Sequence, residues 1–298
     1  MDQKVTHIDT IEQYNDFLGV ETLHPLVSVI DFSKVRPLHH FRNSMGFYAV
    51  FLKEVMCGDL TYGRQRYDYQ CGTVVAIAPG QVIGLEDNGQ TYQPKGWALC
   101  FHPDLIHGTS LGRTIRDYSF FSYEVREALH LSEKEREVFV ACLMNIRDEI
   151  EHGIDRMSRR LITTSIELLL GYCLRFYERQ FVTRSVVNVD ILSRFEQVLD
   201  NYFASDKARR EGLPTVKYCA SELFLSPNYF GDLIKKETGK TAQEYIQAKI
   251  IGLAKERILG SRQSITQVAD DLGFQYPQHF TRLFKKVTGV TPKEYRGA

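Results

Sequence analysis

An internal repeat near the C-terminal end constrains the fold of this chain more than any other feature. The segment SPNYFGDLIKKETGKTAQEY (226–245) aligns with YPQHFTRLFKKVTGVTPKEY (276–295), and 10 of the 20 aligned positions are identical. Upstream, VKYCASELFL (216–225) matches ITQVADDLGF (265–274) in pattern, with one residue of slippage at the turn. A repeat of this length indicates two copies of one supersecondary unit.

Each copy reads as helix-turn-helix, over 216–237 and 265–287. In the second copy, Ser264 is placed to cap a first helix and Gly273 to end it, and Pro277 fits the first turn of the next helix. The apolar positions predicted to face inward on that next helix are Phe280, Leu283 and Phe284. The first copy has the same frame, with Ser226 as N-cap, and TAQEYIQAKIIGLAKERILGS (241–261) predicts one long helix between the copies.

The outward positions of the second helix in each copy carry groups suited to double-stranded DNA. In the first copy they are Asn228, Tyr229, Gly231, Asp232, Lys235 and Lys236. In the second they are Gln278, His279, Thr281, Arg282, Lys285 and Lys286. Amide and guanidinium groups can contact base edges in the major groove, and lysines contact phosphate. The long helix would hold the two reading helices in successive grooves, about 34 Å apart.

Charge is distributed in agreement with this prediction, although the whole chain is neutral. Residues 190–298 carry 17 Lys and Arg against 13 Asp and Glu, whereas residues 1–189 carry 20 against 24, which gives net charges of +4 and −4. The competing interpretation of the repeat is a purely structural all-helical domain, because helical hairpins with a glycine turn are common.

The first half of the chain is predicted to be rich in β-strands from 24 to about 125. Its aromatic and β-branched runs are GFYAVFLKEV (46–55), GTVVAIAPG (72–80), WALCF (97–101) and YSFFSY (118–123). Many short strands separated by turn residues indicate a sandwich or a barrel.

A helical hairpin is predicted to follow, over 132–182. Ser132 and Glu135 form a capping box that opens its first helix, and Gly153 is a stop. The first helix has an apolar stripe through Val138, Cys142, Met144 or Leu143, and Ile146. The second helix, from about 156 to 181, has a stripe through Leu161, Ile162, Ile166, Leu169 and Leu170. Such apolar stripes usually pack in the core and less often form a dimer interface. The segment that follows the hairpin, TRSVVNV (183–189), is predicted to be a linker.

The C-terminal repeat resembles the DNA-binding domain of the AraC/XylS family of bacterial transcription regulators. The matching features are A-x-x-L and F/I-K-K-E/V-T-G in both copies, the run from Ile265 to Phe284, and the closing GVTPKEYR (289–296). The resemblance covers residues 190–298. It implies a cupin-like β-barrel in front, which responds to a small molecule or mediates dimerisation.

The resemblance therefore implies a multidomain α+β protein. Its parts are a cupin-like β-barrel with a helical hairpin (1–182), a linker (183–189) and an all-α DNA-binding domain with two helix-turn-helix units (190–298). The family's base-reading positions fall on Asn228, Gly231 and Asp232 in the first copy, and on Pro277, Gln278, Thr281 and Arg282 in the second. Gly231 has no side chain and Asp232 is an anion facing a polyanion, so the second reading helix is expected to carry more of the specificity.

A metalloenzyme is the alternative for the front domain, but the sequence disfavours it. His39 and His40 are adjacent, and adjacent side chains on a strand point to opposite faces, so both cannot bind one metal from a regular strand. The six cysteines are scattered without a C-x-x-C pair. We expect no metal, no cofactor and no enzymatic activity. Candidate effector-binding residues are Arg36, His39, Arg42, Arg64 and Trp97, and a solvated face is the other interpretation of the arginines.

The sequence thus predicts a cytoplasmic transcription regulator, with no signal peptide and no membrane segment. It is expected to act as a homodimer, to answer to a small-molecule effector, and to engage RNA polymerase if it is an activator. Two alternatives stay open: a front domain that only dimerises, and a cupin metalloenzyme fused to a DNA-binding module.

Overall fold

The computed structural model describes residues 5–38, 41–54, 72–85, 93–123, 127–183 and 185–297. The chain divides into two compact units, Met1–Thr183 and Arg184–Ala298. In the first unit the strands are β1 (Thr6–Ile8), β2 (Val27–Asp31), β3 (Phe41–Met45), β4 (Tyr48–Lys53), β5 (Thr73–Ile77), β6 (Val82–Leu85), β7 (Gly96–Phe101) and β8 (Leu129–His130). Its α-helices are α1 (Ile11–Leu18), α2 (Pro103–Ile106), α3 (Ser110–Thr114), α4 (Glu133–Glu151) and α5 (Ser158–Thr183).

The strands form two sheets, with the orders β1-β3-β6 and β2-β7-β4-β5-β8. The smaller sheet is mixed, because β1 pairs with β3 in parallel and β3 pairs with β6 antiparallel. The larger sheet is antiparallel throughout its described pairs; Val50, at its centre, lies opposite Leu99 on one side and Ala76 on the other. The predicted β-rich character of the first half is confirmed.

Both sheets contribute to one hydrophobic core. Met45 of the smaller sheet packs in the same cluster as Phe51 and Cys100 of the larger one, together with Ile11 and Tyr14 of α1. Along β4 and β7 successive side chains are buried on both faces, since Ala49, Val50, Phe51 and Leu52 are all buried, as are Ala98, Leu99, Cys100 and Phe101. Helical segments therefore have to cover the second face of the larger sheet.

The helical hairpin supplies part of that cover. Ser132 and Glu135 form the predicted capping box, with the Ser132 Oγ accepting from the Glu135 amide and the Glu135 carboxylate accepting from the Ser132 amide. The first helix ends at Glu151, before Gly153 at φ +99°. It packs against α5 and against β2, and the Arg147 guanidinium lies 5.8 Å from the centre of the Trp97 ring.

The structure corrects three details of the sequence prediction. YSFFSY (118–123) is not a strand: Ser119–Ser122 forms a 3-10 turn, in which the consecutive Phe120 and Phe121 are both buried. A strand would have turned the two rings to opposite faces. On α4 the buried stripe runs through Phe139 rather than Val138. On α5, Leu161 is 46 % exposed, whereas Ile162, Ile166, Leu169 and Leu170 are buried.

The second unit is helical. Its helices are α6 (Ser185–Ala204), α7 (Lys207–Glu211), α8 (Val216–Glu222), α9 (Pro227–Thr238), α10 (Ala242–Gly260), α11 (Ile265–Asp271), α12 (Pro277–Thr288) and α13 (Pro292–Gly297). The segment predicted as a linker, 183–189, lies mostly within the first turn of α6, because helical structure resumes at Ser185. Among the described residues, none of the helices combines the length and apolar character needed to cross a membrane.

Candidate nucleic-acid interface

The first copy of the repeat folds as α8, a tight turn and α9. The Ser226 Oγ accepts from the Tyr229 amide, and Pro227 occupies the first turn, where its missing N–H has no helical partner to lose. Phe230, Leu233 and Ile234 are buried, and Phe195 of α6 packs edge-on against Phe230 at 4.9 Å. The helix ends at Gly239, which adopts the left-handed conformation at φ +71°.

The outer face of α9 carries part of the predicted contact set. Asn228, Lys235 and Lys236 are exposed, and Asp232 is half-exposed. Tyr229 is not on this face: it is only 4 % exposed, so its prediction as an outward DNA contact is corrected. It immediately precedes Phe230, so two consecutive aromatic residues of α9 are buried.

The second copy folds as α11, a tight turn and α12. Ser264 and Gln267 form a capping box at the start of α11, with bonds of 3.1 and 2.8 Å. Phe280 and Phe284 are fully buried on the inner side of α12, and Leu283 is half-buried. The exposed residues of its outer side are Gln278, His279, Arg282, Lys285 and Lys286. Thr281 is half-buried, and its hydroxyl donates to the Pro277 carbonyl at 3.1 Å.

The two copies agree in their hydrogen bonds as well as in their residues. Thr238 and Thr288 each donate to the carbonyl four residues earlier, at 2.7 and 2.8 Å. The next helix then begins with the same reciprocal cap, since the Thr241 amide donates to Glu244 at 2.9 Å and the Thr291 amide to Glu294 at 2.7 Å. The identical residues of the two copies therefore form the same local hydrogen bonds in each.

The lysines of both outer faces act on one carboxylate at the start of α10. The backbone amide of Thr241, followed by its hydroxyl, holds the pKa of Glu244 below its usual range, and the charges of Lys286 and Lys235 lower it further. Lys235 belongs to α9 and Lys286 to α12, so each of the two helices places a lysine charge where it acts on Glu244. The surface formed by α9 and α12 is called the paired-helix face below.

The paired-helix face has the chemistry required for a duplex. Its exposed ammonium and guanidinium groups can neutralise phosphates, and Gln278 and Arg282 present groups that can bond to base edges. Each copy has one charged and hydrophilic outer side. These outer sides are not needed for packing, because the buried sides of α9 and α12 already supply the core.

The predicted effector residues do not form one site in the part of the chain that the structure describes. The Arg36 guanidinium donates to the Phe17 carbonyl at 2.9 Å and to the Asp16 carbonyl at 3.2 Å, so it caps the end of α1. Arg42 is exposed on β3, and Trp97 lies on the other sheet beneath Arg147. His39, His40 and Arg64 lie outside the described residues.

A surface groove of about 510 Å³ opens beside α1, and its lining residues include none of those candidates. Its walls include Glu12, His102 and Asp104, with Leu23 and Leu26 on the apolar side. In the described ranges there is no cluster of three or more His, Cys, Asp or Glu side chains placed to hold a metal ion. Burial raises the pKa of the Cys100 and Cys173 thiols, so both are held in the neutral form.

Sequence reasoning missed a set of residues that connect the two copies. Arg209 of α7 pairs with Asp271 of α11, and Gly212 packs against Gly273. The partners lie about sixty residues apart in the chain. Only the glycine at the turn of the second copy, Gly273, gave any signal, and it indicated a helix end rather than a contact.

This chain is similar in sequence to known proteins. A family model described as "Helix-turn-helix domain" matches residues 219–298. The Transposon Tn10 TetD protein of Escherichia coli is 32% identical over 123 residues, which cover 41% of this chain and 80% of that protein. The uncharacterized HTH-type transcriptional regulator YobQ of Bacillus subtilis is 38% identical over 82 residues, 28% of this chain and 34% of YobQ. Among solved structures, the C-terminal domain of AraT, a response regulator from Geobacillus stearothermophilus, is 27% identical over 36% of this chain and 83% of its own, with a TM-score of 0.32.

The chain spans only a small part of the length of the first curated relatives it matches. This chain spans 23% of YesN, 14% of YtdP and 34% of YobQ, all from Bacillus subtilis. The helical second unit, with its paired-helix face, is of the AraC-type DNA-binding class. The chain belongs to the AraC/XylS family of transcription regulators.

Proposed function

We propose that this protein is a sequence-specific DNA-binding transcription regulator. In this proposal α8–α9 and α11–α12 are two helix-turn-helix units, and α9 and α12 enter successive major grooves. The observation that carries the proposal is the paired-helix face, on which both copies keep an exposed hydrophilic outer side opposite an inner side with buried apolar residues.

The two reading helices are proposed to make different kinds of DNA contact. On α12, Gln278 and Arg282 are exposed near the start of the helix, where base edges come within reach, and Lys285 and Lys286 follow for phosphate. On α9 the corresponding positions are Asn228, Gly231 and Asp232, which offer fewer donors. We therefore assign most base discrimination to α12, and mainly phosphate contacts, through Lys235 and Lys236, to α9.

The first unit is proposed to be a cupin-like sensing and dimerisation domain. A small-molecule effector would shift the balance between states that favour and disfavour DNA contact. The alternative is a first unit that only dimerises and binds no ligand. Dimerisation, which both proposals include, is supported by Leu161 and Leu168, which lie two turns apart on α5 and are 46% and 53% exposed. If the protein activates transcription, RNA polymerase is a further partner.

The test is selection by the full-length protein of fragments from a genomic DNA pool, at two salt concentrations. We expect one enriched motif with two blocks about one helical turn apart. Arg282→Ala should relax base preference in one block. Lys285→Ala, the matched control on the same helix, should weaken binding of all sequences alike and reduce the salt dependence.

Steeply salt-dependent binding without a motif would contradict the proposal, because it would mean that the face contacts phosphate only. Equal loss of base preference from variants in α9 and α12 would instead contradict the assignment of most base discrimination to α12.

A further inference from the structure

A short segment between α6 and α8 is fixed to the first copy of the repeat. It comprises residues 207–212, which form α7 and its C-terminal glycine, and is called the strut below. The Lys207 ammonium donates to the Tyr218 hydroxyl of α8 at 3.1 Å, and the Tyr202 hydroxyl of α6 donates to the Gly212 carbonyl at 3.0 Å. Both ends of the strut are thereby attached to helices that precede α9.

The strut also contacts the turn of the second copy. The Arg209 guanidinium donates twice to Asp271 Oδ1, at 3.0 and 2.6 Å, and the Gln263 amide donates to Asp271 Oδ2 at 2.8 Å. Beside this ion pair the backbones meet directly: a Cβ at Gly273 would lie 2.6 Å from the Ala208 carbonyl oxygen and 2.8 Å from the Gly212 carbonyl oxygen. The strut is therefore a second connection between the copies, in addition to α10.

Comparison of the two turns shows that this contact is specific to the second copy. Phe224 and Gly273 each follow the leucine that ends the first helix of their pair, and both have positive φ, +58° and +90°. Phe224 is 69% exposed, so a large side chain is accommodated there. At Gly273 the strut's backbone leaves no room for one, which explains why the second turn has glycine where the first has phenylalanine.

The ion pair is well placed to stabilise that contact. The Asp271 side chain is only 14% exposed, whereas Arg209 is 59% exposed. Burial by itself would raise the pKa of Asp271, but hydrogen bonds from Gln263 and Arg209 and the charges of Arg209 and Arg257 outweigh it and leave the pKa below its usual range. The carboxylate is thus held ionised, with three hydrogen bonds from Arg209 and Gln263, at the point where the copies touch.

We propose that the strut sets the separation between the two reading helices, and that Arg209, Asp271 and Gly273 are positioning residues for the spacing of DNA half-sites. This inference rests on the proposed reading of DNA by α9 and α12. With α10 and the strut both in place, the two copies cannot swing apart about a single helix. A site with the wrong spacing must then be accommodated by deforming the DNA, which is energetically costly.

The test measures affinity of the full-length protein for the two selected blocks at their preferred spacing and at spacings one and two base pairs longer or shorter. We expect Arg209→Ala to bind the preferred site within about twofold of wild type and to lose about tenfold of its discrimination against the other spacings. The double variant Arg209→Asp with Asp271→Arg should recover part of that discrimination. Base preference within each block should not change in any of these variants.

Gly273→Ala and Gly289→Ala make a matched pair. Both glycines have left-handed φ, +90° and +84°, but a Cβ at Gly289 meets nothing within 4 Å. The backbone strain is therefore similar, and only Gly273→Ala pushes against the strut. We expect Gly273→Ala alone to relax the spacing preference. If Gly273→Ala does not fold, Arg209→Ala tests the same contact. The Arg209 side chain is 59% exposed, so its replacement should leave the protein folded.

A measurement without DNA tests the same inference. Spin labels attached through bioorthogonal side chains at positions 236 and 286, on α9 and α12, report the distribution of distances between the helices. Arg209→Ala should broaden the distribution, and Gly289→Ala should leave it as in wild type. An unchanged distribution, or wild-type spacing discrimination in Arg209→Ala on a two-block motif, would overturn the role of the strut. Absence of any two-block motif in wild type would instead refute the proposed function, and this inference with it.

Discussion

Phe224 is a non-glycine residue in the left-handed region, at φ +58°. In that conformation a Cβ crowds the following carbonyl oxygen, at a cost of roughly 1–2 kcal/mol. The ring is 69% exposed and contributes little burial in return. The conformation is imposed by the turn, in which the Leu225 amide donates to the Ala220 carbonyl at 2.9 Å.

Phe224→Gly is therefore expected to stabilise the second unit by about 0.5–1 kcal/mol, because relief of strain exceeds the extra entropy of glycine in the unfolded chain. The measurement is urea unfolding. Phe224→Ala is the control: it removes the ring but keeps the Cβ, so it should bring no comparable gain. Equal stabilisation by both variants would show that the exposed ring, rather than the backbone, is unfavourable.

Tyr229 and His279 show how environment decides a residue's role at one repeat position. Each immediately precedes the buried phenylalanine of its helix, Phe230 or Phe280. Tyr229 is buried, whereas His279 is exposed and its ring lies 5.5 Å from that of Tyr276. Helical periodicity alone places both positions at the edge of the apolar side, where packing against neighbouring elements determines exposure.

At the scale of elements, the end of α5 holds the edge strand β8 in place. The Gln180 side chain accepts from the His130 amide at 2.8 Å and donates to the Ala128 carbonyl at 3.2 Å. Arg179 bonds to both oxygens of Glu135 and to the His130 carbonyl. A strand of two residues has few ladder bonds of its own, so side chains of the helix complete its pairing.

Gln180→Ala should destabilise the first unit by about 2–3 kcal/mol, because it removes the side-chain hydrogen bonds to the His130 amide and to the buried Ala128 carbonyl. The free energy of unfolding in urea measures the effect. Glu178→Ala, at an exposed position of the same helix, should change it by less than about 0.5 kcal/mol. A loss below that level for Gln180→Ala would mean that β8 is held by its pairing with β5 instead.

At the scale of the whole molecule, the outer side of α5 bears on the proposed dimer. Leu161 and Leu168 share one side of the helix, and Met157, just before its start, is 47% exposed. The described part of this chain already buries the opposite side of α5 through Ile162, Ile166 and Leu169. A second copy of the chain is the partner proposed for the exposed side.

Leu168→Glu should therefore weaken self-association about 30-fold, as expected for a central apolar contact worth ~2 kcal/mol. Sedimentation equilibrium of the full-length protein measures it. Lys134→Glu, an exposed change on α4, is the control and should leave the association constant unaltered. If wild type sediments as a monomer, or if both variants associate like wild type, dimerisation through α5 is excluded.

The sequence by itself determined the features that depend on neighbours along the chain. The capping box at Ser132, the helix stops at Gly153 and Gly273, and the duplicated pattern of the second unit all follow from interactions within a few residues. For the same reason the sequence indicated the family and most of the residues that are exposed on α9 and α12.

Only the tertiary structure decided what depends on distant partners. It buried Tyr229, exposed Leu161, and engaged Arg36 at the end of α1, where it caps carbonyls contributed by residues almost twenty positions earlier. It also brought Arg209 to Asp271 and Gly212 to Gly273, contacts that leave no periodic signature in the chain. Local hydrogen-bonding and helical periodicity are encoded residue by residue, whereas burial and long-range pairing arise only when separate elements compete for the same space.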